Sequence, residues 1–422
     1  MLKVNAPYNI AVTRKYFLFL LFFLAFGWGT TLAAEADPTV AERNAAQGFN
    51  DTIDRLAPDF VHVSLVVAEP GGILYSAFGH AMLHLQCPTF NLDYIFTYES
   101  EPIRDNWWRF FKGNLRMGMF ALDPDSVFIP YREEGRGVKE YTLHLNPLQE
   151  QELWRQFDML AERGADRPYD YYQRGCAISI VNVVNDALHG NKIVYNEWPE
   201  RFDGTLRELG YRCVTKSGFI WNRFVLMTLA GSGIDGQLTK ERKLIVPEDL
   251  VEVWQHAQLN GHVLLDSEPH VIVASSKQHI ATWCTPFVVS LLFLLFSLVS
   301  LLFVGKASDT PRMVSKVFDY VLLIIQTLLG AVVTYTVLFS SLPCTDWNWL
   351  IIPFNILPVL AWPWRKYWAL PYLVMIVLWC IGMLCAPHRL VESAHILLAL
   401  AFAVVLLKQS PLWSRWYKRN AV

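Results

Sequence analysis

Five long apolar runs crowd the last third of this chain, near Pro286–Val304, Val317–Phe339, Trp349–Trp362, Trp368–Cys385 and Val391–Leu407. Stretches of this kind suit the hydrocarbon core of a bilayer, which a helix of about 20 apolar residues crosses. The charges between them alternate. Lys306, Arg312 and Lys316 follow the first run, Arg365 and Lys366 follow the third, and Lys408, Arg415, Lys418 and Arg419 follow the fifth, whereas the other connections carry only Arg389. Cationic loops stay on the cytoplasmic side. The pattern therefore predicts residues 281–422 to be an all-α bundle of five transmembrane helices that starts outside and ends in a short cytoplasmic tail. Trp347, Trp349, Trp362, Trp364 and Trp368 near the run ends suit the interfacial belt.

Composition agrees with this division. Apolar and aromatic residues make up 53% of the 422 residues and charged ones only 18%, too apolar for an ordinary soluble enzyme, and a formal net charge of −2 gives no case for nucleic-acid binding. At the start, Lys3, Arg14 and Lys15 precede apolar Tyr16–Trp28, and Ala34-Glu35-Ala36 offers a small-residue cleavage site. Residues 1–36 thus read as a cleaved signal peptide, with an uncleaved anchor as the alternative. Residues 37–280 then form an exported domain, in agreement with a bundle that starts outside.

That domain reads as α+β. Val61–Val67, Ala81–Leu85, Leu92–Tyr98, Leu115–Leu122 and Val138–Leu145 have the apolar or alternating character of strands. Asn146-Pro147 is a helix start, a capping residue followed by proline in the first turn. Asp105–Lys112, with Trp107, Trp108, Phe110 and Phe111, reads as a short aromatic helix or lid.

The chemistry rests on two distant residues. Tyr75-Ser76-Ala77-Phe78-Gly79-His80 feeds a strand, and Cys176 follows Arg174-Gly175 at the start of a helix running to Leu188. A thiol attacks as thiolate, which an imidazole and the positive end of a helix both favour. His80 and Cys176 are therefore the candidate base and nucleophile. His84 and Asp93 are the candidates for orienting His80, and Ser76 for holding the turn, with no order among the three. Three cysteines, Cys87, Cys176 and Cys213, fall in the exported domain, which allows one disulfide and one thiol left over; Cys87–Cys213 would leave Cys176 free, but the sequence does not fix the pairing. No metal or other cofactor is expected, since His80 and His84 lack the glutamate of an H-E-x-x-H motif, and a serine hydrolase is disfavoured because no G-x-S-x-G surrounds the candidate site.

Histidine first and cysteine about a hundred residues later is the order of the permuted papain-like thiol enzymes, which include the lecithin:retinol acyltransferase-like group. More specifically, Tyr75-Ser76-x-Phe78-Gly79-His80, Tyr169-x-Tyr171 leading to Cys176-Ala177, Pro247-Glu248-Asp249-Leu250 and the membrane stretch Asn348–Pro353 resemble the bacterial lipoprotein N-acyltransferase family called Lnb. The resemblance implies a permuted papain-like periplasmic domain on an inner-membrane, multi-pass bundle. It implies a cysteine-dependent acyltransferase that moves a fatty acyl group from a phospholipid, through a Cys176 thioester, to the N-terminal amine of a diacylated lipoprotein. One departure stands out: the family usually has Asn directly before the cysteine, and this chain has Gly175. The alternatives are a thiol hydrolase or peptidase acting on cell-wall peptides, which would need no bundle, and a non-catalytic membrane protein.

Overall fold

The computed structural model describes residues 60–413 except 104, 277–282, 304–308 and 386–390. The expected signal peptide, Lys306, Arg389 and the last three tail cations lie outside the described residues, as does Arg104.

Residues 60–276 build a mixed α+β unit around an antiparallel seven-stranded sheet. Its strands are β1 (His62–Ala68), β2 (His80–Cys87), β3 (Leu92–Ser100), β4 (Arg116–Leu122), β5 (Val138–Thr142), β6 (Arg167–Pro168) and β10 (His270–Val273), in the order β10-β5-β1-β2-β3-β4-β6. A second sheet joins β7 (Val194–Tyr195), β8 (Ala257–Leu259) and β9 (His262–Val263). Alternation sets the two faces of the large sheet. Leu65, Val67, Ala81, Leu83, Leu85 and Phe96 enter the main core. Val66, Ala68, Met82 and Ile95 enter a smaller one on the other face, closed by Phe128 and Tyr131.

Helices cover both faces. Trp107–Lys112 is α1, and α2 (Pro124–Glu133) lies over the smaller core. On the main core lie α3 (Pro147–Arg163), α4 (Cys176–Ala187), α5 (Leu206–Lys216) and α7 (Pro247–Gln255); α6 (Ile220–Leu229) packs on α5 and leads toward the helical part. The expected cap is real: Asn146 and Gln149 exchange side chain-to-backbone hydrogen bonds of 3.0 Å in a capping box.

Residues 283–413 form the helical part, with α8 (Pro286–Ser300), α9 (Asp309–Leu338), α10 (Arg365–Cys385) and α11 (Ser393–Gln409). Thr310–Leu338 and Trp362–Cys385 are long and apolar enough to cross a membrane, whereas Pro286–Ser300 and Ser393–Gln409 are apolar but shorter. The expected third helix, Trp349–Trp362, is instead broken into a 3₁₀ turn at Trp349–Ile351, one α-turn at Leu357–Leu360 and a 3₁₀ turn at Trp362–Trp364. Pro353, Pro358 and Pro363 remove the backbone donors that a continuous helix needs. Its carbonyls are satisfied from the sides. Tyr372 donates to Ile352 O and Gln326 to Asn355 O, both at 2.8–2.9 Å, while Asn355 reaches Ile351 O at 3.0 Å. Irregular backbone at membrane depth is tolerated where protein buries it in this way.

The chain runs five times between the two ends of this part. At the end facing the sheet unit, Trp221 donates to Cys284 O (2.8 Å), Ser341 N to Lys112 O (3.0 Å), Asn348 to Thr228 O (2.7 Å), and Arg223 pairs with Glu392. At the far end, Lys408 binds Ser300 (2.8 Å) and Asp319, and Arg365 binds Gln409 (2.9 Å). The third run thus also spans this part from end to end, although not as a helix.

Candidate active site

A tight turn delivers His80 to the start of β2. Ser76 donates its hydroxyl to Ile73 O (3.0 Å), and its own carbonyl accepts from Gly71 N (2.7 Å) and Gly79 N (3.0 Å). Gly79 has φ +84°, and a Cβ there would lie 2.8 Å from Ala68 O, so the turn requires glycine. Pro247 packs beneath it, the nearest atom 3.8 Å from that Cβ position. Two residues on, buried Asp249 bridges Arg201 (2.9 Å) and Arg212 (2.7 Å). The Pro247–Leu250 stretch therefore supports the turn rather than supplying reactive groups.

Cys176 is the first residue of α4, after Gly175 as N-cap. The sulfur lies within hydrogen-bonding reach of the His80 side chain and accepts from the backbone N–H groups of Ala81 and Ala177. The structure thus brings His80 and Cys176 together. Burial pushes the thiol up, but the adjacent His80 charge, the hydrogen bond from His80 and those two amides outweigh it and hold Cys176 below the usual thiol range. Burial opposes the charge on His80 as well. Tyr131, Cys176 and Glu99 overcome that and hold the imidazole well above its ordinary value. Two other thiols go the opposite way: burial pushes Cys213 and Cys344 up to about 12. Cys87 and Cys213 are both buried free thiols, and no disulfide joins them.

His80 is held by groups outside the expected set. Its Nε2 lies 2.7 Å from Thr97 Oγ1 and 3.3 Å from Glu99 Oε1, and Thr97 Oγ1 donates to the same carboxylate at 3.0 Å. This leaves Nδ1 as the ring nitrogen available to sulfur. Ser76, as above, closes the turn. His84 lies two pleats along and bonds Glu140 on β5 (2.6 Å) and Asp93 on β3 (2.5 Å), so neither it nor Asp93 is the partner of His80. The strand register carries the signal for Glu99. Met82 faces Thr97, and two more residues along each strand set Glu99 across from His80.

Tyrosines line the rest. Tyr131 of α2 stands near both His80 and Cys176, and burial raises its pKa first, with Glu99 and Cys176 adding to that. The Arg136 guanidinium stacks over the Tyr131 ring, 4.7 Å from its centroid, while donating to Glu69 O (2.7 Å). Tyr169 lies on the opposite side, also close enough to feel the sulfur. Next to it opens an apolar cavity of about 200 Å³ between Phe78, Tyr169, Leu226 and Ala230 on one side and Leu342 and Pro343 of the helical part on the other. The cations near α1 are engaged with protein: Arg109 with Glu101 (2.6 Å), Arg116 with Asp166 O (2.5 Å), and Lys112 with the Trp108 face.

The class that emerges is a membrane-anchored protein whose α+β domain holds a polarised thiol–imidazole pair against its helical anchor. Two family models match in tandem: the Lnb N-terminal periplasmic domain over residues 49–201 and the Lnb transmembrane domain over residues 277–414. The chain belongs to the Lnb family. Membership points to an enzyme that modifies lipoproteins at a membrane, with its periplasmic domain anchored by the transmembrane domain. Comparisons with curated proteins and with solved structures gave no match.

Proposed function

We propose that the protein is a lipoprotein N-acyltransferase of the bacterial inner membrane, with a permuted papain-like periplasmic domain and Cys176 as its nucleophile. The observation that carries this reading is the Cys176–His80 pair itself, a thiol held low and an imidazole held high at the start of a helix. The Cys176 thiolate attacks the ester carbonyl of a phospholipid. The ester C–O bond breaks, and His80 gives its proton to the departing lysophospholipid alkoxide. The thioester keeps the acyl group reactive, dividing one hard step into two easier ones. The free α-amine of a diacylated lipoprotein then attacks the thioester carbonyl. His80 takes the amine proton, the C–S bond breaks, and the thiolate–imidazolium pair is restored.

Glu99 and Thr97 orient the ring and stabilise its charged form, as the third member of such an assembly does. The helix start supplies N–H groups for the oxyanion. The far-end cations Arg312, Lys316, Arg365 and Lys366 support a cytoplasmic position for that end and five crossings of the membrane.

The test has two arms. Purified protein mixed with phospholipid in the absence of acceptor should carry a hydroxylamine-sensitive fatty acyl group on Cys176, found by mass analysis. Expression in cells deprived of their own lipoprotein N-acyltransferase should restore N-acylated lipoproteins, and Cys176→Ala and His80→Ala should each abolish the rescue. Rescue by both variants would end the proposal.

A further inference from the structure

We propose that the cavity between Phe78, Tyr169 and Leu342 seats the acyl chain of the Cys176 thioester, and that the loop between the second and third passes fixes the chain length accepted. This deepens the acyl-transfer reading and rests on it.

Three observations meet here. The cavity lies next to the reacting pair: Phe78 in its lining precedes His80 by two residues, and Tyr169 is close enough to feel the Cys176 sulfur. Its walls are apolar along their length, through Leu226, Leu229 and Ala230 to Leu342 and Pro343. A polar or sugar group placed there would lose its water contacts without replacement, whereas an alkyl chain gains from the same walls. Finally, its far wall is the 342–345 loop of the helical part, at the end facing the sheet unit; with that part in the membrane, a donor chain would have a short path to the sulfur.

That wall is firmly held. Gly231 N donates to Cys344 O (2.7 Å), Ser232 N to Asp346 O (3.1 Å), and Asn348 to Thr228 O (2.7 Å). Backbones touch at two glycines: a Cβ on Gly113 would lie 2.4 Å from Leu342 N, and one on Gly231 1.9 Å from Asp346 O. With the loop pinned on both sides, cavity depth is set by side chains, chiefly Ala230 and Leu342. The cavity has no complete wall in either part alone.

The full-length protein in vesicles containing phospholipids of mixed chain length provides the test, with the acyl group on Cys176 released by hydroxylamine and weighed. Ala230→Leu should shift the distribution toward shorter chains, and Leu342→Ala toward longer ones. Each methylene gained or lost should change preference about fourfold. Opposite shifts from the two variants exclude a general folding defect. An acylated Cys176 with the wild-type distribution in both variants would overturn the chain-seat proposal and leave the thioester reading intact. A wild-type Cys176 that never carries acyl would overturn both.

Discussion

Glu99 faces His80 across adjacent strands, its carboxylate oxygen 3.3 Å from the imidazole Nε2, with the Thr97 hydroxyl bridging the two. Together with Tyr131 and Cys176, Glu99 makes the charged ring the favoured one against its burial.

Removing that charge should therefore narrow the pH range of the enzyme. The reactive ion pair exists above the depressed pKa of Cys176 and below the raised pKa of His80. Glu99→Gln should move the alkaline limb, set by His80, to lower pH, and should slow turnover about 10²-fold near pH 8. Glu99→Asp should recover part of the loss. The pH dependence of Cys176 alkylation and of acyl transfer reads both effects; a mutant profile that superimposes on the wild type would remove Glu99 from the mechanism.

The residue before the nucleophile is a second test. A Cβ on Gly175 would lie 2.7 Å from Tyr171 O, so any side chain must displace the start of α4. Gly175→Ala should lower the acylation rate about 10²-fold through misplacement of sulfur, with the thermal midpoint nearly unchanged. Gly175→Asn, which introduces the residue usual in the family, should do no better. Single-turnover acylation of Cys176 measures the effect, and wild-type rates in the Asn variant would contradict the steric argument.

His84 yields a stability prediction. It spans from β2 over β1 to Glu140 on β5, and also binds Asp93 on β3. Burial disfavours its charge, but the hydrogen bonds and charges of Glu140 and Asp93 outweigh this and raise its pKa; those from His84 and His270 lower that of Glu140 against its own burial. The raised His84 contributes fully below about pH 6.5 and loses its contribution as pH rises through its folded value. The lowered Glu140 contributes above about pH 4.5 and loses its share as pH falls through its folded value. Stabilisation should peak between these limits. His84→Gln should cost of order 1 kcal/mol there and nothing at pH 9. Thermal unfolding in detergent across pH 4–9 checks it, and a pH-independent loss would show packing rather than charge.

The contact between the two parts of the protein supplies the last prediction. Arg223 on α6 and Glu392 ahead of α11 form an ion pair with little exposure, and Thr228 bonds His395 at 2.7 Å nearby. Glu392→Ala leaves the half-buried Arg223 guanidinium with only Thr215 (3.1 Å) and the Tyr211 ring as partners and should cost about 3 kcal/mol. Arg223→Met combined with Glu392→Leu should cost much less. Differential scanning of the detergent-solubilised protein separates these outcomes; equal losses would show that the pair does not act as a unit.

The sequence announces groups whose role is set locally. His80 follows a glycine that the turn demands, Cys176 opens an apolar helix, and each is visible without a fold. Glu99 was not visible, because its place depends on which strand pairs with β2 and in what register. His84 and Asp93 were nearer in sequence or alternation and so drew attention, yet they bind each other, while Ser76 closes the turn. Strand β10 comes from residues 270–273 to the sheet edge beside β5, a pairing across more than a hundred residues that no local pattern reveals. The third pass is a different case: Pro353, Pro358 and Pro363 stood in plain view, and the apolar count alone concealed what they do to a helix.

The short stretch from Ser340 to Asn348 lies by sequence in the transmembrane part, yet its hydrogen bonds reach α1 and α6 and its side chains close the cavity. A chimera spliced at the obvious seam, ahead of α8, would graft the periplasmic half onto a foreign anchor and leave behind one wall of its own chamber. Hybrids between relatives should work only when that nine-residue stretch travels with the half it touches.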